Sequence, residues 1–515
     1  MFKSGRAGLL VVLACLVAVG CSGAAYPTSR PAQQEPPQHH WPPRVPPEPT
    51  PAPPAWPTEA SYQGVEFEDA GVNPFVDPLG DPFSTFAMDI DTASYGIARR
   101  FIGDGYLPDR DSVRLEEFVN SFDYGYEPPT DGAFGIHVDG APAPFVGSRA
   151  VLVRVGIQAR EVPDEARKSI SLTFVIDTSG SMQMENRLEL VKNALILLVS
   201  RLRADDSVAI VEFGSQAGIV LTPTSAAEPE AIIAAISALD TGGSTNAQAG
   251  LELGYNVAAR GHRPGAVDRV VLASDGVANV GLTDADSILQ RIDHEVEAGV
   301  ELVSIGVGMG NFNDVLLEQL ANRGNGFYTY INDRFEAERV FGSDLTGTLQ
   351  TVARDARIQV EFRSDAVVRY RLLGYENRRM ADEDFRNPYA DAGEVGAGHN
   401  VTALYEIEPA WTRGELLGTV RLRWQDPATG AEEQLLRDIE LLDLDDSFYS
   451  AEPGFRLAAT VAGFAEILRQ SPYATEFTLD DVAHEATELA GRFDGRLDVI
   501  EFAQLAQMAA RISDY

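Results

Sequence analysis

From Lys168 to about Val352 the chain alternates continuous apolar runs with stretches whose apolar residues recur at helical spacing. SISLTFVID has the continuity of a strand buried on both faces, and the RLELVKNALILLVSRLR that follows has the period of a helix. SVAIVEFG and AEPEAIIAAISAL repeat the pair. After the polar loop DTGGSTN the series resumes with AQAGLELGYNVAAR as helix, DRVVLASDG as strand and DADSILQRIDHEVEAG as helix. ELVSIGVG, FNDVLLEQLANRG and GFYTYI continue it, and a last helix is predicted from about Phe335 to Val352. Such alternation predicts a mostly parallel, doubly wound sheet covered by helices on both faces. Ligands of these sheets bind outside the carboxyl ends of the strands.

The flanks read differently. FSTFAMDIDTASYGIARRFI (83 to 102) places Tyr95, Ile97, Ala98, Phe101 and Ile102 at roughly helical spacing, with Ser94 available as N-cap. VRLEEFVNSFDY is a second short helix, and GIHVDG and RAVLVRVGIQAR are strand-like. Beyond Asp355 the runs RIQVEFRS, VVRYRLLGYENR, HNVTALYEIEP, LLGTVRLRWQD and EQLLRDIELLD alternate with period two, the pattern of an antiparallel sheet with one exposed face. Strand-like runs on both sides of the α/β segment predict that residues 168–352 are inserted into one β-sandwich. An α+β flank (63–167) and a β-rich segment (353–447) would build that sandwich, and three amphipathic helices would form a small C-terminal domain (448–515). The expected class is multidomain, α/β plus β.

The first 21 residues change the picture of location. Lys3 and Arg6 precede an apolar run from Ala7 to Val19, then Gly20 and Cys21, the layout of a signal peptide. AVGC resembles the lipobox of bacterial lipoproteins, with Ala18 where Leu is usual; the resemblance implies lipidation of Cys21 and anchoring to a membrane of the bacterial cell envelope. Ser22 resembles the outer-membrane sorting pattern of some bacteria, so the periplasmic and outer-membrane faces both stay open. Residues 22–62 include PPQHHWPPRVPPEPTPAPPAWP, whose prolines favour extended backbone and suit a tether. Cys15 and Cys21 are the only cysteines, which leaves no disulfide framework in a processed chain. With 41 basic against 77 acidic side chains and a net charge of -36, nucleic acid is excluded as a partner, because phosphate binding needs clustered Lys and Arg.

Candidate chemistry concentrates in FVIDTSGSM, 174 to 182. An aspartic protease needs two Asp-Thr-Gly segments; here Ser179 separates Thr178 from Gly180 and no second copy exists. A serine nucleophile needs a neighbouring base, and the seven histidines fall in the tether, at helix positions or in other segments, without a Gly-x-Ser-x-Gly elbow. A triad remains a minor alternative. Cation binding uses more of the residues: Asp177 ends a buried strand, and Ser179 and Ser181 follow at two-residue spacing, so their oxygens can converge. Hydroxyls ligate a hard cation such as Mg²⁺ without neutralising it, which leaves it able to take a carboxylate from another molecule.

DTSGS at 177 to 181 resembles the Asp-x-Ser-x-Ser of the von Willebrand factor type A domain, a Rossmann-like fold carrying a metal-ion-dependent adhesion site. The family adds a threonine in a second loop and an aspartate after a later strand; Thr245 in DTGGSTN and Asp275 in ASDG occupy those places. The resemblance implies that Ser179, Ser181 and Thr245 contact the ion directly or through water, that Asp177 and Asp275 bind it largely through water, and that a partner's Asp or Glu completes the shell. Mg²⁺ is the expected ion, with Mn²⁺ and Ca²⁺ as alternatives. FSTFAMDIDTASY, LPDRDSVRLEEFVNSFDYGY, YRLLGYENR and DAGEVGAGHNVTALYEIEP resemble the flanks of a bacterial lipoprotein group with the same central domain.

Two near-copies are set aside. AMDIDTASY offers Asp89, Asp91 and Ser94 at the wrong spacing, and Asp91 with Thr92 before a helix reads as N-cap chemistry. IGVGMGNFND has Gly306, Gly308 and Gly310 outside the dinucleotide spacing and reads as a tight strand-to-helix turn. The expected function is non-enzymatic, metal-dependent capture of a protein partner, in adhesion or envelope assembly. A metal-dependent hydrolase and a structural scaffold are the alternatives.

Overall fold

The computed structural model describes residue 65 and residues 67–513, apart from 145–149, 277–284, 291, 293, 295, 297, 298, 310–312, 344–349, 388, 389, 391, 411–415 and 476. The expected signal segment, Cys21 and the Pro-rich tether lie outside these residues. Three strands precede the α/β segment: β1 (Phe83–Ala87), β2 (Phe134–Pro142) and β3 (Val151–Ala159). Within it lie β4 (Ile170–Asp177), β5 (Ser207–Phe213), β6 (Ala217–Ser225), β7 (Val267–Ser274), β8 (Glu301–Val307) and β9 (Tyr328–Ile331). After it come β10 (Thr351–Phe362), β11 (Val367–Leu373), β12 (Gly393–Gly396), β13 (Asn400–Pro409), β14 (Leu416–Gln425) and β15 (Glu432–Glu440).

The central sheet has the order β6-β5-β4-β7-β8-β9. All its pairs are parallel except β5 with β6. Strand β4 is buried along its whole length because both faces are covered. Leu172, Phe174 and Ile176 enter one core with Leu195 and Leu198 of the helix Arg187–Val199, while Val175 enters the other with Leu251 and Tyr255 of the helix Ala247–Gly261. The chain leaves β4 toward β5 on one side and later returns as β7 on the other, so the order reverses between β4 and β7. Loops from both strands open a crevice at that reversal.

Within the α/β segment two details depart from the sequence pattern. Strand β6 departs from that pattern: its apolar run is short and ends in polar Thr222–Ser225, it is a half-exposed edge strand, and its Pro223 is tolerated because an edge need not donate on both sides. Of the predicted last helix the described residues show Arg334–Glu338, followed by a π-turn over Arg339–Ser343. It does not reach Val352, because Thr351 and Val352 are β-branched and already belong to β10, with Thr351 opposite Gly396 of β12.

The flanking strands form two packed antiparallel sheets, β1-β10-β14-β15 with β12 beside β10, and β11-β13-β3-β2. Strand β1 pairs with β10 and β3 with β13, so each sheet takes strands from both sides of the α/β segment, which is thereby an insertion. Val153, Val155 and Ile157 face Ile358, Val360, Val420 and Leu422 in their shared core. The helices Ala93–Gly103 and Leu115–Val119 share a second core with Pro453–Leu468, Leu479–Arg492 and Leu497–Ser513. Aromatic edges hold it: Tyr95 and Phe122 centroids are 5.2 Å apart, and Phe122 and Phe502 5.4 Å. Among the described residues no helix is long and apolar enough to cross a membrane.

His399, half-buried at the entry to β13, meets Phe327 edge-on, and its Nδ1 is shut off from water and has no bonding partner among the described residues. Burial, reinforced by Arg269 and Arg339, pushes the imidazole down to about 4. The fold therefore holds it neutral, and the unfolded chain takes up a proton first on acidification. Stability is expected to fall by about 2 kcal/mol between pH 6.5 and 4. Urea midpoints measured across that range should decline less steeply in His399→Gln than in the wild type.

Candidate metal site at the carboxyl edge of the central sheet

Asp177 is fully buried at the end of β4, where the strand's last side chain points out of the carboxyl edge. Its Oδ1 accepts the Ser179 N–H at 2.8 Å, and its Oδ2 accepts the Ser274 hydroxyl at 2.7 Å. Ser274 ends β7 and its Oγ in turn accepts the Gly276 N–H at 3.0 Å. The carboxylate is thus fixed from both strands that border the crevice. Ser179 is 1% exposed and Ser181 half-buried, and their hydroxyl oxygens lie 3.0 Å apart.

Backbone bonds stitch the second loop to the first. Gly180 N–H donates to the Gly243 carbonyl at 3.0 Å and Gly242 N–H to the Thr178 carbonyl at 2.7 Å. Asn246 N–H reaches the Gly214 carbonyl at 2.9 Å, so Thr245, 2% exposed, is carried against the end of β5 and the first loop. Gly243 is required here: its φ is +86°, and a Cβ would stand 2.6 Å from Ser215 Oγ. The third loop brings Asp275, fully buried, beside the Asp177 carboxylate. Gly276 turns the chain away with φ +78°, where a Cβ would meet the Asn313 carbonyl oxygen at 2.5 Å.

Two buried carboxylates so close repel. Burial first, and the Asp275 charge second, push Asp177 up to about 6 even though three hydrogen bonds pull it down. A cation between the loops would relieve that repulsion, and the oxygens present fit one. Neighbouring ligands of an octahedral Mg²⁺ with bonds of about 2.1 Å are about 3 Å apart, the separation of the two serine hydroxyls. The structure therefore gathers Asp177, Ser179 and Ser181 directly, places Asp275 beside them through Ser274, and brings Thr245 to the same edge through its loop's backbone.

Sequence reasoning missed two members of this constellation. Ser274 anchors Asp177 and was legible only as a strand end. Arg187 donates from Nη1 to Asp275 Oδ2 at 2.9 Å, with its side chain 2% exposed. It reads in the sequence as the polar start of an amphipathic helix.

The near-copy at residues 87 to 95 does not cap its helix. Thr92 stands at the N-cap of the helix Ala93–Gly103 without a side-chain cap bond, and the Ser94 hydroxyl donates to the Ser112 carbonyl at 2.5 Å. Asp89 and Asp91 are buried partners of Arg378, at 2.9 and 2.8 Å. Charge compensation in the interior outcompeted capping. For the histidines, His262 pairs with Asp268 and His137 meets the Glu127 carbonyl.

The model of the von Willebrand factor type A domain matches residues 171–343, a model described as von Willebrand factor matches 61–154, and one described as uncharacterized protein YfbK, C-terminal, matches 347–416 and 410–512. The chain is similar to the uncharacterized protein YfbK of Escherichia coli (strain K12), 35% identical over 485 residues, which are 89% of this chain and 82% of that protein. It is 27% identical over 295 residues to the uncharacterized protein sll0103 of Synechocystis, covering 56% of this chain and 68% of that protein. A solved von Willebrand factor type A protein from Catenulispora acidiphila aligns over 72% of this chain and 89% of its own, with 17% identity and a TM-score of 0.42.

Proposed function

Since the chain belongs to the family of Escherichia coli YfbK, built around a von Willebrand factor type A domain, we propose that it is a non-enzymatic binding protein whose metal site captures a carboxylate of a protein partner. The observation that carries this reading is the pair of serine hydroxyls 3.0 Å apart beside a buried carboxylate at the strand-order reversal. Ser179, Ser181 and Thr245 would hold Mg²⁺, Mn²⁺ or Ca²⁺, with Asp177 and Asp275 behind them. A bound ion supplies Lewis acidity toward an incoming Asp or Glu, because three of its five protein ligands are neutral. Lipidation of Cys21 would hold the protein to the bacterial envelope, with residues 22–62 as spacer.

Capture of envelope proteins on the immobilised full chain, with Mg²⁺ and with EDTA, tests this. A partner retained by the wild type in Mg²⁺ should be released by EDTA and absent from Ser179→Ala. Retention indifferent to both changes would overturn it.

A further inference from the structure

Arg187 is a cation built into the site. Its guanidinium reaches Asp275 Oδ2 at 2.9 Å and is buried at the same carboxyl edge as Asp177. Two features make room for it. Glu185 and Asn186 are successive left-handed residues, with φ of 52° and 57°, and they turn the chain so that the helix begins at Arg187 with its side chain directed inward. Such backbone costs stability for residues with a Cβ and persists only where packing enforces it. Gly308, past the end of β8, has φ +76°, and a Cβ there would stand 1.9 Å from Arg187 Nε. The glycine of IGVGMG is thus a niche for the guanidinium as well as a tight turn.

We propose, resting on the metal reading above, that Arg187 is the counter-cation of this site: it compensates Asp275 in the metal-free protein and leaves a bound divalent ion short of negative charge until a partner's carboxylate arrives. The charge count is simple. Among the described residues Asp177 and Asp275 bring two negative charges and Arg187 returns one positive, so a divalent ion leaves this set with one positive charge, which a single Asp or Glu neutralises. Metal binding and partner binding then strengthen each other, as linkage requires. Arg187 also orders Asp275, which favours the ion, but the Asp275 backbone is already fixed by Asn313 N–H at 3.3 Å and by the Gly276 turn. The charge therefore decides the sign.

Calorimetric titration of Mg²⁺ into the full chain at pH 8, with and without excess acetate as the carboxylate probe, tests this on wild type, Arg187→Met and Arg187→Lys. Arg187→Met should bind Mg²⁺ about tenfold or more tightly than the wild type. Acetate should tighten Mg²⁺ binding in the wild type and much less in Arg187→Met, and Arg187→Lys should stay near the wild type. If Arg187→Met does not fold by circular dichroism, Arg187→Gln, which keeps a donor for Asp275 without the charge, takes its place. A wild type that binds Mg²⁺ while the neutral variants bind it equally or more weakly overturns the role of Arg187 alone. A wild type that binds no Mg²⁺ overturns the metal reading and this inference with it.

Discussion

Asp177→Asn is expected to be more stable than the wild type in EDTA and indifferent to Mg²⁺. The side chain is fully buried, and asparagine can keep the bond it accepts from the Ser179 N–H and replace the bond it accepts from the Ser274 hydroxyl by donating to Ser274 Oγ. What it removes is a carboxylate held at about 6, above the ordinary 3.8, by burial and by Asp275. The sign follows from the raised value. The metal-free fold favours the neutral form, so ionisation takes stability away as pH rises from about 4 through 6, and the whole loss is present at pH 7. For a shift of this size the amide should recover on the order of 2 kcal/mol in EDTA. A site that has lost one carboxylate should bind Mg²⁺ at least about 100-fold more weakly. Thermal midpoints in EDTA and in Mg²⁺ read both effects: the wild type should rise with Mg²⁺ by mass action, and Asp177→Asn should start higher and not move. A variant that starts lower, or still rises, contradicts the compensation described.

Arg371→Met should cost the fold more than any surface substitution. Arg371 on β11 is fully buried and reaches Glu406 of β13 at 2.6 Å and Glu466 of the helix Pro453–Leu468 at 2.9 Å. Arg469 pairs with Glu466 as well and reaches Glu376 at 3.0 Å. The Arg371 guanidinium lies over the ring of Tyr473, 4.3 Å from its centre. This network joins the sandwich to the C-terminal helices. Burial raises Glu466, but Arg469 and Arg371 outweigh it and hold the carboxyl down to about 2. Its stabilisation is therefore present above the ordinary 4.5 and lost as pH falls from there toward 2. Methionine fills the volume but leaves the buried Glu406 without its arginine and Glu466 with Arg469 alone, a loss of about 3–5 kcal/mol. Urea unfolding followed through Trp424, buried in the sandwich core, should show that fall, and Glu406→Leu added to Arg371→Met should restore part of it.

Much of the architecture was legible because period and burial agree. The all-buried run ISLTFVID can only be a central strand, and the strand count that follows carries Asp275 to the same edge. Strand β1, five residues long, and the glycine-bounded β12 were not legible, since neither is long enough to show a period of two. Within the site, Asp177, Ser179 and Ser181 announce themselves by spacing along one loop. Arg187 could not, because its inward direction depends on two left-handed residues and on a glycine more than a hundred positions away. The same limit misled the reading of Asp89 and Asp91, whose partner Arg378 lies in the other flank. Local pattern reports caps and periods, whereas buried charge is compensated across the fold.

The proposed function requires a divalent ion held by the serine hydroxyls at the carboxyl edge of β4 and β7. Anomalous diffraction from crystals of the protein soaked in Mn²⁺ tests it most directly. The expected result is a single strong peak within about 2.2 Å of both Ser179 Oγ and Ser181 Oγ, with a remaining position open to a carboxylate. A peak bound elsewhere, or none between these loops at saturating Mn²⁺, contradicts it.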